Sequence, residues 1–282
     1  GDKIALNWAP NCGKCFYCIH SRPSLCEAYT ELIWDGYLMD GTTRMSIDGK
    51  LLYHYCALSC LSEYAVVPEA SCVIMPNEIP DDVAALIGCA VTTGVGSALN
   101  TVQISKDDTV AVLGAGGVGL STIMGAAYAG ARQIISIDIV PEKKIVARNV
   151  GATDFFISGQ DTIEQIKSIT NNRGVDYAFE AVGKPELQEL AFEIIRPGGT
   201  LVLSGITSMG SETNFSGAVL TRQEKTVKGS YYGTSDTSRD FRNYANLFLA
   251  GELPIDKMIS RSYDLDQVNE AYKDMLAGKG GR

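Results

Sequence analysis

Residues 109–119 read Thr-Val-Ala-Val-Leu-Gly-Ala-Gly-Gly-Val-Gly, and residues 134–139 read Ile-Ile-Ser-Ile-Asp-Ile. The first stretch is an apolar run of buried-strand type that empties into a glycine-rich turn, Gly114-x-Gly116-x-x-Gly119. A small-residue helix over Val118–Ala131 follows, then a second strand that ends in an acid, Asp138, 19 residues after Gly119. A bare glycine hexapeptide says little, because it serves equally as a structural turn. Here a strand precedes it, a helix follows, and a carboxylate closes the next strand, which is the fingerprint of a dinucleotide site. Gly114 permits the tight turn, Gly116 lets backbone approach a pyrophosphate, and Gly119 lets helix and strand close up. Gly117 and Val118 belong to the same cradle, which faces the phosphates with a helix N-terminus. Asp138 can accept hydrogen bonds from the adenosine ribose.

Downstream, strand signals at Phe155–Ile157, Tyr177–Val182 and Thr200–Ile206 alternate with helical patterns at Ile163–Ile169 and Leu187–Ile195. Such alternation predicts an α/β fold, a doubly wound parallel sheet of Rossmann type with helices on both faces. Two helix patterns follow Gly233, one on Phe241, Tyr244, Ala245, Phe248 and Leu249, the other on Leu265, Val268, Tyr272, Met275 and Leu276. Lys257–Tyr263 between them is predicted as a strand. Upstream, residues 1–90 are rich in turn signals such as Asp35-Gly36, Asp40-Gly41 and Asp48-Gly49. Short β-prone runs such as Tyr64–Val67 lie between them, so this part reads as mostly β.

The 282 residues carry 24 basic and 33 acidic side chains, a net charge of −9. That balance argues against a general grip on nucleic acid or on an anionic membrane surface. No apolar run reaches the roughly 20 residues a membrane helix needs, and no secretion signal opens the chain, so a cytoplasmic setting is expected. The opening at Gly1 and the abrupt Gly278-Lys279-Gly280-Gly281-Arg282 close read as truncation at both ends.

Four of the eight cysteines crowd together as Cys12-x2-Cys15-x2-Cys18-x7-Cys26. Four thiolates in one loop can close a tetrahedron on zinc with no open position, a structural site. A disulfide pair and an iron–sulfur cluster are the alternatives, but the run lacks the Cys-Pro ending of ferredoxin sequences. Cys89 alone reads as a packed thiol. His20 and His54 have no partner at helical spacing and are assigned no role. Cys56, Cys60 and Cys72 read as ordinary small apolar residues.

In this order, the four-cysteine loop, Asp40-Gly41-Thr42-Thr43-Arg44, Ser62-Glu63-Tyr64, Gly88-Cys89, Gly114–Gly119 and Thr226-Val227-Lys228-Gly229-Ser230 resemble the zinc-dependent medium-chain alcohol dehydrogenases, in their class III-like branch. The resemblance implies a partial, mostly β GroES-like catalytic domain over 1–90, a Rossmann NAD-binding domain over 91–233, and a return to the catalytic domain over 234–282. It implies structural zinc on Cys12, Cys15, Cys18 and Cys26, and catalytic zinc with Cys89 as one ligand. Thr93 would lie against the nicotinamide, and Asp138 and Lys143 would contact the ribose. Backbone groups of Ser204, Ser230 and Tyr232 would meet the carboxamide, Val182 would pack on the ring, and Arg282 would contact the pyrophosphate. The implied cofactors are NAD and zinc, and the implied reaction is hydride exchange between a small alcohol and NAD, with zinc as Lewis acid. A homodimer or homotetramer is the family's usual assembly.

The family's other catalytic-zinc ligands and its proton relay precede the cysteine loop and have no counterpart here, so the fragment alone is expected to be inactive. Glutathione-dependent formaldehyde dehydrogenases carry an arginine four positions after the last loop cysteine. This chain has Thr30 there, which favours a plain primary or aromatic alcohol or its aldehyde. The rival readings are a glutathione- or other thiol-dependent formaldehyde dehydrogenase and a non-catalytic nucleotide-binding relative.

Overall fold

A computed structural model describes residues 1–278 and 282. Its centre is a six-stranded sheet, every pair parallel, formed by Thr109–Leu113, Gln133–Asp138, Asp154–Ile157, Val175–Glu180, Ile195–Leu203 and Thr226–Gly229. Numbered in chain order, the strands lie 6-5-4-1-2-3 across the sheet, the doubly wound order in which dinucleotides bind at the C-terminal ends of the two central strands. Those strands are Thr109–Leu113 and Val175–Glu180. All five residues of Thr109–Leu113 are buried. That explains why its sequence is continuously apolar rather than alternating.

Gly117–Tyr128 is the helix that the glycine turn predicts. Two more helices, Thr162–Ile169 and Pro185–Ile194, lie where the periodicity puts them. The Phe241–Leu249 pattern becomes Thr237–Leu249, and the Leu265–Leu276 pattern becomes Val268–Leu276 behind a single 3-10 turn. The strand expected over Lys257–Tyr263 does not form. Ile255–Met258 is a 3-10 turn and the residues after it are irregular. Ile255 and Met258 are fully buried, so the apolar spacing there served core packing and not a sheet.

In residues 1–90 the strands are few and short. Ile4–Leu6 pairs antiparallel with Cys72–Ile74, and Ser46–Ile47 with Lys50–Leu51. The second pair turns through Asp48 and Gly49, both at positive φ, as a two-residue hairpin requires. Tyr64–Val67 forms no strand, and Tyr64 is exposed. Its β-branched and aromatic composition found no partner edge.

Contrary to the expectation that no apolar run is long enough, Asp81–Thr101 forms one helical stretch long and apolar enough to cross a bilayer. Most of it is buried inside the protein, so its apolarity is explained by the core. It runs unbroken past residue 90. Its Gly94 lies so close to the Gly117–Tyr128 helix that a Cβ there would stand 2.3 Å from the Val118 carbonyl oxygen. Gly125 returns the contact, its Cβ position being 3.0 Å from the Cα of Val95. Two glycines thus let two helices touch backbone to backbone, and that contact sets the site.

Candidate active site and metal centre

The glycine turn has the geometry its sequence predicts. Gly114 sits at φ +98, and a Cβ there would meet the Val182 side chain at 2.5 Å. A Cβ on Gly119 would stand 1.7 Å from the Gly114 carbonyl oxygen, so only glycine lets the helix start this close to the strand. Around Gly116, by contrast, there is no atom within 4 Å of a Cβ position. That open face is where a phosphate would approach the backbone.

Asp138 is buried, and its carboxylate is already busy. It accepts from the Ala115 N–H at 2.6 Å, from the Val140 N–H at 2.9 Å, and from the Lys143 Nζ at 3.1 Å. It therefore ties the end of its strand to the glycine turn. A carboxylate offers about four acceptor positions, so one remains for a ribose hydroxyl. Gly116, Gly117, Lys143 and Arg282 line one cavity of 430 Å³, which the Val268–Leu276 helix helps to close. The Arg282 side chain comes within 3.1 Å of the Gly117 Cβ position, placing its guanidinium beside the turn.

Cys89 lies in a π-helical turn, Ile87–Val91, of the Asp81–Thr101 helix. The neighbouring Ala90 touches the glycine turn, its Cβ being 3.2 Å from the Gly117 Cβ position. Cys89 keeps a solvent-exposed face. Burial pushes its thiol up, while the Arg282 guanidinium, the Trp8 indole and the Thr93 hydroxyl beside it act in the opposite sense. Thr93 is buried. Trp8 packs against Tyr232 with tilted rings, centroids 4.5 Å apart, and edge-on against Tyr231 at 5.5 Å. This aromatic wall was missed in the sequence, because Trp8 and the two tyrosines are more than 200 residues apart and carry no shared motif.

The Tyr232 hydroxyl donates to the Gly88 carbonyl. Ser204 and Ser230 donate their N–H groups to Glu180 and Leu203, leaving their carbonyl oxygens as the groups that could meet a carboxamide. Val182 is 45% exposed at the mouth of the same crevice. Glu180, also unforeseen, is fully buried and accepts from the N–H groups of Val182 and Gly183. Burial pushes its carboxyl up. Its role is to shape the turn that presents Val182.

The four clustered cysteines converge, and their Sγ atoms all lie within 4.8 Å of one another. The separations include 3.4 Å for Cys15–Cys18, 3.9 Å for Cys15–Cys26 and 4.0 Å for Cys12–Cys18. A tetrahedron with zinc–sulfur bonds of about 2.3 Å has edges of about 3.8 Å. These thiols are unpaired, and they leave room for one ion but not for a multi-iron cluster. The Cys15 N–H points at Cys12 Sγ and the Cys12 N–H at Cys26 Sγ, each at 3.3 Å. Such bonds favour thiolate. Backbone N–H groups lower Cys12 and bring Cys15 down to about 6, whereas burial drives Cys18 up to about 12 and raises Cys26. Four adjacent thiolates repel one another, and a divalent cation removes the conflict. The loop fits zinc.

Cys89 has no such company. Cys56 lies near it, pushed up to about 11 by burial and then by the Cys89 thiol, but no third metal-ligating side chain joins them among the described residues. These residues do not fit a second metal centre. His54 is buried in a loop, its Nε2 accepting from the Arg44 N–H, and His20 is exposed.

A family model described as zinc-binding dehydrogenase matches residues 117–250. The NDMA-dependent alcohol dehydrogenase of Amycolatopsis methanolica is 35% identical over 285 residues, covering 100% of this chain and 76% of the relative. Among solved structures, an alcohol dehydrogenase zinc-binding domain protein from Burkholderia ambifaria superposes with a TM-score of 0.91 at 31% identity, over 99% of this chain and 75% of that one. Benzyl alcohol dehydrogenase from Acinetobacter calcoaceticus superposes with a TM-score of 0.87 at 27% identity, again over 99% and 75%.

Proposed function

Because this chain belongs to the zinc-dependent medium-chain alcohol dehydrogenases, we propose that it serves NAD-dependent interconversion of a primary or aromatic alcohol and its aldehyde. The observation that carries this reading is the contact of Ala90 with Gly117. It places the Cys89–Thr93 stretch directly beside the turn that would hold the cofactor's pyrophosphate. The nicotinamide, when bound, supplies the two-electron chemistry by exchanging a hydride with the alcohol carbon. This chain's residues bind and orient. The Gly114–Gly119 turn and Arg282 hold the pyrophosphate, Asp138 and Lys143 the ribose, and Val182 offers an apolar surface to the ring. Trp8 and Tyr232 wall the cleft and keep water from the reacting face. The 1–90, 91–233 and 234–282 division of labour belongs to the same proposal. The aromatic side of the substrate range rests on that wall, and Thr30 gives no cationic grip on a carboxylate-bearing thiol adduct.

The cofactor choice is NAD over NADP. A 2′-phosphate would meet the Asp138 carboxylate in a poorly screened site, a like-charge penalty of about 1–3 kcal/mol or roughly ten- to a hundredfold in affinity. Lys143 is already engaged by Asp138 and offers a phosphate little. The test is Asp138→Asn, which removes the charge but keeps the size. The gap between NADH and NADPH affinity should shrink at least about tenfold. An unchanged gap would show that this carboxylate does not make the choice.

The metal geometry gives a second expectation. Purified with zinc, the 282 residues should hold one ion per chain and show negligible alcohol oxidation, because Cys89 and Cys56 alone cannot retain a second ion against water. Two tightly held zincs, or robust turnover, would contradict this.

A further inference from the structure

Glu180 ends the strand Val175–Glu180 and is fully buried, yet no cation pairs with it among the described residues. A buried carboxylate without a counter-ion is costly unless N–H groups surround it. Here they come from a turn and a helix. Oε1 takes the Val182 and Gly183 N–H groups at 2.7 and 2.8 Å. Oε2 faces the side-chain amide of Gln188, on the Pro185–Ile194 helix, at 3.5 Å. The oxygen of that amide accepts the Thr213 hydroxyl at 2.6 Å, which fixes the amide's orientation.

The backbone of the same residue holds a second turn. The Glu180 carbonyl accepts the N–H groups of Ser204 and Gly205, each at 2.9 Å. Gly205 also lies against the carboxylate, since a Cβ there would stand 2.6 Å from Oε2 and would collide with the Gly183 nitrogen. One residue thus ties the Val182–Gly183 turn to the Ser204–Gly205 turn. A further tie leads to the Asp81–Thr101 helix. The Ser204 and Ser97 hydroxyls meet at 3.0 Å, and Ser97 donates to the Thr93 carbonyl at 2.5 Å. The three residues brought together in this way, Val182, Ser204 and Thr93, are those expected at the nicotinamide. Asp138 and Lys143, at the ribose end, share no hydrogen bond with this network among the described residues.

We propose that Glu180 is a positioning residue for the nicotinamide half of the cofactor, one that locks the Val182 and Ser204 turns into a single surface. The inference rests on the NAD reading above and goes beyond it by dividing the site in two. The adenosine and pyrophosphate end is held by the glycine turn and Asp138. The nicotinamide end depends on loops that have no regular structure of their own, and Glu180 supplies their order. A surface ordered in advance spares the ligand that cost when it binds.

The experiment compares NADH with ADP-ribose, which lacks the nicotinamide, by calorimetric titration of the zinc-loaded chain. Glu180→Leu fills a similar space but leaves the Val182 and Gly183 N–H groups without their acceptor. Glu180→Gln keeps an oxygen for them and removes only the charge. Glu180→Leu is expected to bind NADH at least about tenfold more weakly than the parent, with ADP-ribose affinity within about twofold. Glu180→Gln should stay within about threefold of the parent for both ligands. Ser97→Ala cuts only the tie between Thr93 and Ser204. It should show the same selectivity at about threefold, and it decides the matter if circular dichroism finds Glu180→Leu unfolded. Equal losses for the two ligands would make Glu180 a general support of the fold and overturn the inference. So would parent-like NADH affinity in Glu180→Leu or, where that variant does not fold, in Ser97→Ala. A Glu180→Gln as weak as Glu180→Leu would overturn it as well, by assigning the effect to charge. A parent that binds NADH no better than ADP-ribose overturns this inference and leaves the nucleotide reading standing, whereas a parent that binds neither ligand removes both.

Discussion

Replacing Cys26 by serine is expected to empty the four-cysteine loop of zinc and to lower the stability of the chain by at least about 4 kcal/mol, a conservative share of the binding energy structural zinc sites return to folding. The geometry makes this ligand critical. Cys26 is buried, whereas the other three are half-exposed, and it starts the Glu27–Asp35 helix. Its sulfur also accepts the Cys12 N–H, so losing the metal at this corner frees both ends of the loop. Apart from one helical turn, Phe16–Ile19, and one 3-10 turn, Pro23–Leu25, the loop has no regular structure. The metal is its core. Elemental analysis should find one zinc per parent chain and none in the variant, with a matching fall in melting temperature. A parent chain that carries a disulfide in place of zinc, or a variant that keeps its ion, would contradict the assignment.

Gly119→Ala and Gly116→Ala are expected to fail in opposite ways, although each adds one methyl group to the same turn. At Gly119 the new carbon would stand 1.7 Å from a backbone oxygen. No side-chain rotation relieves that contact, so strand and helix must part. A cost of about 3 kcal/mol or more follows, the upper end for overpacking because backbone must move. At Gly116 the position is open and the backbone, at φ −89 and ψ −172, suits any residue. Stability should stay within about 0.5 kcal/mol of the parent. The methyl group would nevertheless occupy the face a pyrophosphate needs, and NADH affinity should fall at least about tenfold. Thermal denaturation and a fluorescence titration read the two effects separately. A stable Gly119→Ala, or a Gly116→Ala that binds NADH like the parent, would break the argument for that glycine.

The nucleotide half of the molecule was legible because its signals are local. An apolar run, a glycine turn and a closing carboxylate lie within 30 consecutive residues, and a parallel sheet follows from the alternation. The cysteine loop was legible for the same reason. What the sequence hid depends on contacts between distant segments. Nothing near Gly94 announces that its missing side chain lets two helices meet, or that Trp8 packs against Tyr232. Glu180 carries no local signal, and only its complete burial and its bonds from Val182 and Gly183 show that it shapes a turn. The misread strand over Lys257–Tyr263 has the same origin, since apolar spacing does not distinguish an edge strand from a loop whose side chains plug the core. Tyr64–Val67 had the composition of a strand but met no neighbour to pair with.

The crevice at the end of Thr109–Leu113 is expected to take NAD, which a calorimetric titration of the zinc-loaded chain with NADH and with NADPH measures directly. One saturable site per chain is expected for NADH, with binding weaker by about ten- to a hundredfold for NADPH. No saturable binding of NADH, or equal affinity for the two, would contradict it.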